Sequence, residues 1–395
     1  MSKKSEEKIA QFLTSEDPAL RKMGLSLGSG IDIPKSCNAD LFALAFFDPE
    51  TSNRKTAFGL ISNLFPDIID ILKKEWKNRP PNTRNESKTF EPYQISYDWD
   101  AENFMDAIKR ESKNKLFDSC QIAIKSYKIL KGKNPSIPES YKGIIGGFVK
   151  FLGKEKYKPA KEILIEIYTT YGDNGPGSEV LSVASGFAGK DMEDVLILGL
   201  MQKNYFVSNS IDRGAIQLVK MGTKRISKSL TEELVTNKGK AQMLNSNPRI
   251  RDVIWTLGKI GHSEALEPLI NFCRQELIYQ KDRWEALSAS AFAVAELSEN
   301  NEEASLEYLC DLLDYTSEWV VESAVYGLGI ISDKSSIPHL EKIIEGKRGK
   351  GHSRAFGWSR YMPLTKRTAK NVLESIEGGK KLPPVKSPWP PHHDW

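Results

Sequence analysis

The side chains best suited to metal and acid–base chemistry are few in this sequence and lie far apart. It contains five histidines (His262, His339, His352, His392, His393) and four cysteines (Cys37, Cys120, Cys273, Cys310). A protein metal site needs several such ligands that converge on one point. No CxxC pair, His-Glu dipeptide or GxGxxG spacing occurs. We therefore predict no catalytic residues, no metal and no cofactor.

A basic segment with interleaved aromatic residues is the sharpest local signal for binding. From Gly346 to Leu373 there are eight Lys or Arg residues and no acid. Residues 346–363 form a glycine-rich loop in this segment, able to fold over phosphates or acidic side chains. The candidate binding residues are Lys347, Arg348, Lys350, Arg354, Phe356, Trp358, Arg360 and Tyr361. Two interpretations of this loop are open. The favoured one is an exposed insertion without function, and the other is a docking site for RNA or an acidic protein.

An acidic block precedes this basic segment. From Trp284 to Asp333 there are eleven acids and no Lys or Arg. A solvated outer face explains such a block without any function. As a binding surface, it would instead attract a basic partner segment and repel the phosphates of a nucleic acid.

The elements that carry these residues are amphipathic helices of one repeated design. Apolar residues recur at helical spacing in three segments, which begin at Asn247, Trp284 and Ser317. Equivalent core positions are Val149, Ala184, Leu218, Leu257, Val294, Leu328 and Leu373, at intervals of 35, 34, 39, 37, 34 and 45 residues. A helical hairpin repeated at this period predicts an α-solenoid, in which each repeat packs on its neighbours. We expect Gly258 to let neighbouring helices approach closely, and Cys273, which completes an apolar stripe, to be a small core residue.

Short motifs in these helices resemble HEAT repeats, in the short form found in phycobilisome lyases. The sequences DPALR at 17–21 and NPRIR at 247–251 resemble the start of that family's second helix, and LGKIG at 257–261 resembles its end. The resemblance is strong over residues 149–376. It implies a right-handed all-α superhelix whose second helices line the concave face, in a family made up largely of scaffolds and adaptors.

Two enzyme families of HEAT-like fold provide comparisons. The deoxyhypusine hydroxylases bind iron through recurring His-Glu dipeptides, which this chain lacks. The alkylpurine glycosylases use concave-face tryptophans and an aspartate, and here Trp255 and Asp252 share a helix while Trp284 and Trp319 begin the next two. A tryptophan at the start of a helix is more often a packing anchor. A HEAT-like lyase or DNA glycosylase is therefore the most distant alternative.

Prolines and polar segments predict the limits of the helical regions. In Asp17-Pro18 and in Asp48-Pro49, we expect the aspartate to cap a helix whose first position is the proline. We expect helical hairpins at 1–79, a polar and aromatic loop at 80–100, a solenoid at 101–377 and a tail at 378–395 whose prolines exclude a helix. The tail is either a short linear motif or a disordered end. No signal peptide or membrane span is recognised, and the scattered cysteines favour a reducing compartment, so we expect a cytoplasmic protein.

These observations predict a non-enzymatic scaffold or adaptor. We expect it to bind a macromolecular partner, in the first instance a protein, through its concave face and the basic loop. RNA or ribonucleoprotein binding through residues 346–373 is the alternative. No membrane and no small-molecule substrate is indicated. The formal net charge of +4 is too small to imply a nucleic-acid partner by itself.

Overall fold

A computed structural model describes residues 3–77, 101–111, 119–131, 139–202, 212–236, 247–278, 283–298, 302–347, 362–379 and residue 382. These residues contain twenty α-helices and no β-strand, so the predicted all-α fold is confirmed. The helices fall into two compact units, Met1–Phe187 and Ala188–Trp395. The predicted loop at 80–100 and most of the predicted tail lie outside the described residues, and the predicted division of the chain stays a prediction.

The first unit contains ten helices. They are α1 Lys3–Leu13, α2 Pro18–Gly28, α3 Asn38–Phe47, α4 Thr51–Leu64, α5 Pro66–Lys77, α6 Ala101–Glu111, α7 Ser119–Lys131, α8 Glu139–Lys154, α9 Lys161–Tyr171 and α10 Pro176–Val183. Helix α3 is buried along its whole length. Its Phe46 and Phe47 rings contact Phe104 of α6, at centroid distances of 4.5 and 5.6 Å. This aromatic cluster, which also includes Phe148 of α8, forms the core of the unit.

The start of α2 follows the predicted capping pattern. The Asp17 carboxylate accepts a hydrogen bond from the Ala19 N–H at 2.9 Å, and Pro18 occupies the first helical position. The same arrangement was predicted for Asp48-Pro49, and there it is wrong because α4 begins at Thr51. The Asp48 carboxylate instead pairs with the buried Arg21 guanidinium at 2.7 Å and so links α2 to the following hairpin.

The second unit contains the three repeats that the sequence pattern singles out. Its helices are α11 Lys190–Gln202, α12 Arg213–Met221, α13 Lys224–Val235, α14 Asn247–Ile260, α15 Leu266–Phe272, α16 Trp284–Glu296, α17 Glu302–Leu312, α18 Glu318–Ile331, α19 Ile337–Ile344 and α20 Met362–Glu377. A π-helical turn, Cys273–Leu277, follows α15. Helices α14, α16, α18 and α20 pack side by side in succession and form the second-helix layer.

Glycines allow the helices of this layer to approach closely, as the sequence predicts for Gly258. A Cβ atom on Gly258 would lie 2.6 Å from the Cα of Ala293 in α16. A Cβ atom on Gly327 of α18 would lie 3.0 Å from the Ala291 carbonyl oxygen. Because both contacts involve backbone atoms of α16, neither can be relieved by turning a side chain.

The predicted core positions are confirmed with one exception. Val149, Ala184, Leu218, Leu257, Val294 and Leu328 are fully buried. The assignment of Leu373 as a core position is wrong, because Leu373 is only half-buried while its neighbour Val372 is fully buried. The Val372 side chain packs beside Gly329 of α18, which sets the rotation of α20. Handedness of the superhelix and a concave face stay expectations.

The expected cytoplasmic location stays a prediction. Cys37, Cys120 and Cys273 are buried and Cys310 is half-buried, all four as free thiols. Among the described residues, no helix is long and apolar enough to cross a membrane.

Candidate protein-binding face of the second unit

Lys347 alone among the predicted binding residues lies in the described part of the chain. Its side chain is exposed, and its Nζ lies 2.8 Å from a Glu345 carboxylate oxygen. The other seven, Arg348, Lys350, Arg354, Phe356, Trp358, Arg360 and Tyr361, lie outside the described residues. The predicted basic loop therefore stays a prediction.

The acidic block is partly neutralised by basic side chains of the preceding repeat. Glu296 of α16 pairs with Lys259 of α14 at 2.6 Å. Asp311 of α17 pairs with Arg274, in the π-helical turn after α15, at 2.7 Å. These acids lie on both helix layers and serve as ties between repeats, so a solvated outer face describes only some of them.

A buried charge cluster lies near the N-terminal ends of α14 and α16. The Arg251 guanidinium donates to the Asp252 carboxylate at 2.9 Å and to the Glu285 carboxylate at 3.3 Å. Asp252 also accepts a hydrogen bond from the Asp212 N–H at 3.2 Å. Burial raises the pKa of Asp252 to about 7, against the opposing effect of Arg251. The Asp252 carboxylate is thus engaged inside the fold and is not presented on a surface.

In α14, α16 and α18, the side of the helix opposite its core stripe carries an aromatic residue at an equivalent position. Trp255, Phe292 and Tyr326 each lie two residues before a core leucine or valine. The Phe292 and Tyr326 rings stack with their centroids 6.3 Å apart. We call these three residues the aromatic row. Phe292 and Tyr326 were missed from the sequence, although counting two residues back from each core position would have found them.

This side of the layer is buried on α14 and α16 and becomes partly exposed on α18, since Trp255 is only 8% exposed. Phe292 is 3% exposed, Tyr326 is half-buried and Ile330, one turn further along α18, is 38% exposed. Trp319, at the other end of α18, is half-buried. The accessible residues on this side are therefore Trp319, Tyr326 and Ile330 of α18, which we call the α18 face.

Two carboxylates of α18 border this face and bond to α20. The Thr365 hydroxyl donates to Glu318 at 3.2 Å, and the Thr368 hydroxyl donates to Glu322 at 3.1 Å. Burial raises the pKa of both carboxyls, and it raises that of Glu318 to about 7 against the lowering effect of the Thr365 hydrogen bond, with a smaller upward contribution from Glu322. Thr365 comes two residues after the predicted basic loop ends, so the attachment point of that loop lies beside these acids.

We expect the stability of the second unit to decrease as the pH rises from about 4 to about 7. The folded Glu318 carboxyl binds its proton more tightly than the unfolded one, whose pKa is about 4.3, so deprotonation favours unfolding. Glu318→Gln should flatten this dependence in denaturant titrations between pH 5 and pH 8. The exposed Glu302→Gln serves as control, and equal pH dependences for the two variants would contradict the assignment.

A second polar cluster is wholly buried and inaccessible. Tyr308 Oη and Ser290 Oγ are 2.5 Å apart, and both bond to the Cys273 thiol. Burial raises the pKa of Cys273 to about 12, so it remains a neutral thiol. The prediction that Cys273 is a small core residue is confirmed. Among the described residues, no group of three or more His, Cys, Asp or Glu side chains could hold a metal ion.

One comparison with known families gives a match. Residues 251–275, which cover most of α14, the following turn and α15, match the PBS lyase HEAT-like repeat. The matched segment includes Arg251 and Trp255, and it ends inside the π-helical turn. No curated protein matches the chain. The repeated hairpins and this match agree, and residues 251–275 are similar to a HEAT-like repeat of the PBS lyase type.

Proposed function

We propose that the protein is a non-enzymatic scaffold or adaptor that binds a protein partner through the α18 face, assisted by the predicted basic loop at 346–363. The observation that carries this proposal is the half-buried Tyr326 beside the exposed Ile330, at the open end of the aromatic row. Aromatic and aliphatic side chains that are partly exposed together are typical anchors of protein interfaces. Repeats of this family offer such extended surfaces to proteins.

The charges that border the α18 face favour a basic segment of the partner at this face, whereas the basic loop would contact an acidic segment of the same partner. Glu318 and Glu322 border the face, and Glu296 lies on the neighbouring helix. A basic partner would stabilise the ionised form of Glu318, whose pKa of about 7 makes that form incomplete at neutral pH. We therefore expect binding to release a proton and to strengthen between pH 6 and pH 8.

An affinity purification from native lysate tests the proposal. We expect the wild-type protein to retain one stoichiometric protein after nuclease treatment and at about 1 M salt, where the Debye length is roughly 3 Å. Ile330→Glu should remove that protein, because the apolar contact of Ile330 is lost and binding would have to take a carboxylate out of water. Leu198→Glu is the matched control, because Leu198 lies on α11 and is also exposed, at 52%.

The same experiment separates the protein partner from RNA. Changing Arg348, Arg354 and Arg360 to Glu tests the basic segment 346–373 by itself. If the wild type retains nucleic acid, and that nucleic acid is lost on nuclease treatment, in the triple variant or at high salt, RNA binding is favoured. This result would contradict the proposal. Equal retention of the protein by the wild type and Ile330→Glu would exclude the α18 face.

A further inference from the structure

The Leu382 side chain packs directly on helix α18. A Cβ atom on Gly329 of α18 would lie 2.1 Å from the Leu382 Cδ1 atom, so this side chain contacts the glycine backbone itself. Helix α20 ends at Glu377, and Gly379, with a φ of +62°, has the left-handed conformation that commonly turns the chain after a helix. The chain therefore returns from the end of α20 to the end of α18.

The Leu382 contact borders the α18 face. Tyr326 and Gly329 are three residues apart and so lie on one side of α18. Ile330 directly follows Gly329 and is 38% exposed. Residues 383–395, which continue the chain from this point, lie outside the described residues. They start at the edge of a partly exposed aromatic and aliphatic surface.

The sequence of residues 383–395, PPVKSPWPPHHDW, is of a type that binds aromatic surfaces. Five of its thirteen residues are proline, and Pro388 and Pro391 have the PxxP spacing. Segments rich in proline bind in the extended polyproline II conformation to surfaces lined by aromatic side chains, at a low cost in conformational entropy. Trp319 and Tyr326 supply such side chains on α18.

The charges of the segment and of the face are complementary. Glu318 and Glu322 border the α18 face. The stretch from Lys380 to Trp395 contains three lysines and one acid. Opposite charges on two surfaces favour their contact and fix their register. A basic segment with proline and tryptophan is thus attached next to the surface that such a segment fits.

The segment is long enough to follow α18 along its length. Trp319 and Ile330 are eleven residues apart on one helix, which corresponds to roughly 16 Å along the axis. In the polyproline II conformation, the seven residues from Pro383 to Trp389 span roughly 22 Å. A segment that starts at Leu382 and runs antiparallel to α18 therefore brings Trp389 within reach of Trp319.

We propose that residues 383–395 bind the α18 face of their own chain in an extended conformation that starts at Leu382 and runs antiparallel to α18. Because Leu382 fixes one end, the effective concentration of the segment is in the millimolar range, so a weak contact keeps the face occupied. A partner that uses the same face must displace the segment, which therefore lowers the affinity for that partner. This consequence rests on the proposed function, whereas the contact itself does not.

Thiol labelling of the full chain tests the contact without any partner. The thiol of Ile330→Cys should react with a maleimide about tenfold more slowly than in the same variant with Pro388, Trp389 and Pro391 changed to alanine. That ratio applies when the effective concentration is about ten times the dissociation constant. Leu198→Cys, at a 52% exposed position of α11, should react equally fast with either version of the segment. Mass spectrometry of peptides assigns the label to each position.

A synthetic peptide with the sequence of residues 383–395 provides a second measurement. At saturating concentration, it should slow the labelling of the Ile330→Cys chain that carries the three alanines, and a scrambled peptide should not. Equal labelling rates of Ile330→Cys with and without the three alanines would overturn the proposal. So would an equal change at Leu198→Cys, which would show an effect on the whole fold, or a native peptide that protects no better than the scrambled one.

Discussion

Replacing Arg251 by alanine is expected to lower the free energy of unfolding of the second unit by about 3–5 kcal/mol. Arg251 is the cation of the buried cluster with Asp252 and Glu285, and its side chain is 2% exposed. Its removal leaves the Asp252 carboxylate buried without a compensating charge. Asp252 must then remain protonated or the fold must open, so the loss should grow as the pH rises. Urea titrations at pH 6 and pH 8 measure both effects.

The matched control is Arg274→Ala. Arg274 pairs with Glu307 and Asp311, but all three side chains are partly exposed. Ion pairs in contact with water contribute about 0–1 kcal/mol, so this variant should be close to wild type. The double variant Arg251→Ala with Asp252→Ala should lose less stability than the sum of the two single variants. Strict additivity, or equal losses for Arg251→Ala and Arg274→Ala, would show that burial of the charge is not the cause.

Leu328→Ala is expected to cost about 2–5 kcal/mol through lost burial and the cavity left behind. Leu328 is fully buried on α18. Since each repeat is stabilised by its neighbours, the damage should be greatest in the adjoining helices. Hydrogen exchange should therefore accelerate most in α17 to α20 and least in the first unit.

Ile330→Ala is the control for that prediction. Ile330 lies on the same helix but is 38% exposed, so the change should be within about 0.5 kcal/mol of wild type. Uniform acceleration of exchange over both units by Leu328→Ala would contradict the nearest-neighbour picture. It would indicate that the chain unfolds as one cooperative body.

Much of the helical pattern could be predicted from the sequence because it depends on neighbours within one helix. The stripes around Leu257, Val294 and Leu328 follow from a period of 3.6 residues, and the Asp17 cap follows from the chemistry of the next two residues. The predictions from sequence were wrong where a contact between residues far apart in the chain competed with the local pattern. Asp48 pairs with Arg21 instead of capping α4, and Val372 takes the core position that was assigned to Leu373.

The candidate site was less predictable, because its members come from different repeats. Trp255, Phe292 and Tyr326 are separated by 37 and 34 residues, and no local pattern brings them together. Of these three residues, only Trp255 was identified as a candidate from the sequence, because of its residue type. The predicted site, the basic loop, was found from local composition, and only Lys347 of its residues has a described position.

The sequence by itself determined that this chain is an all-α array of repeated hairpins, since the spacing of apolar residues along the chain gives both the helix periodicity and the repeat length. Only the tertiary structure decided which side chains meet across repeats. The Arg251 cluster, the close approach at Gly258 and the aromatic row all depend on how helices rotate against each other. That rotation is set by the packing of many side chains at once, which the order of residues along one helix does not reveal.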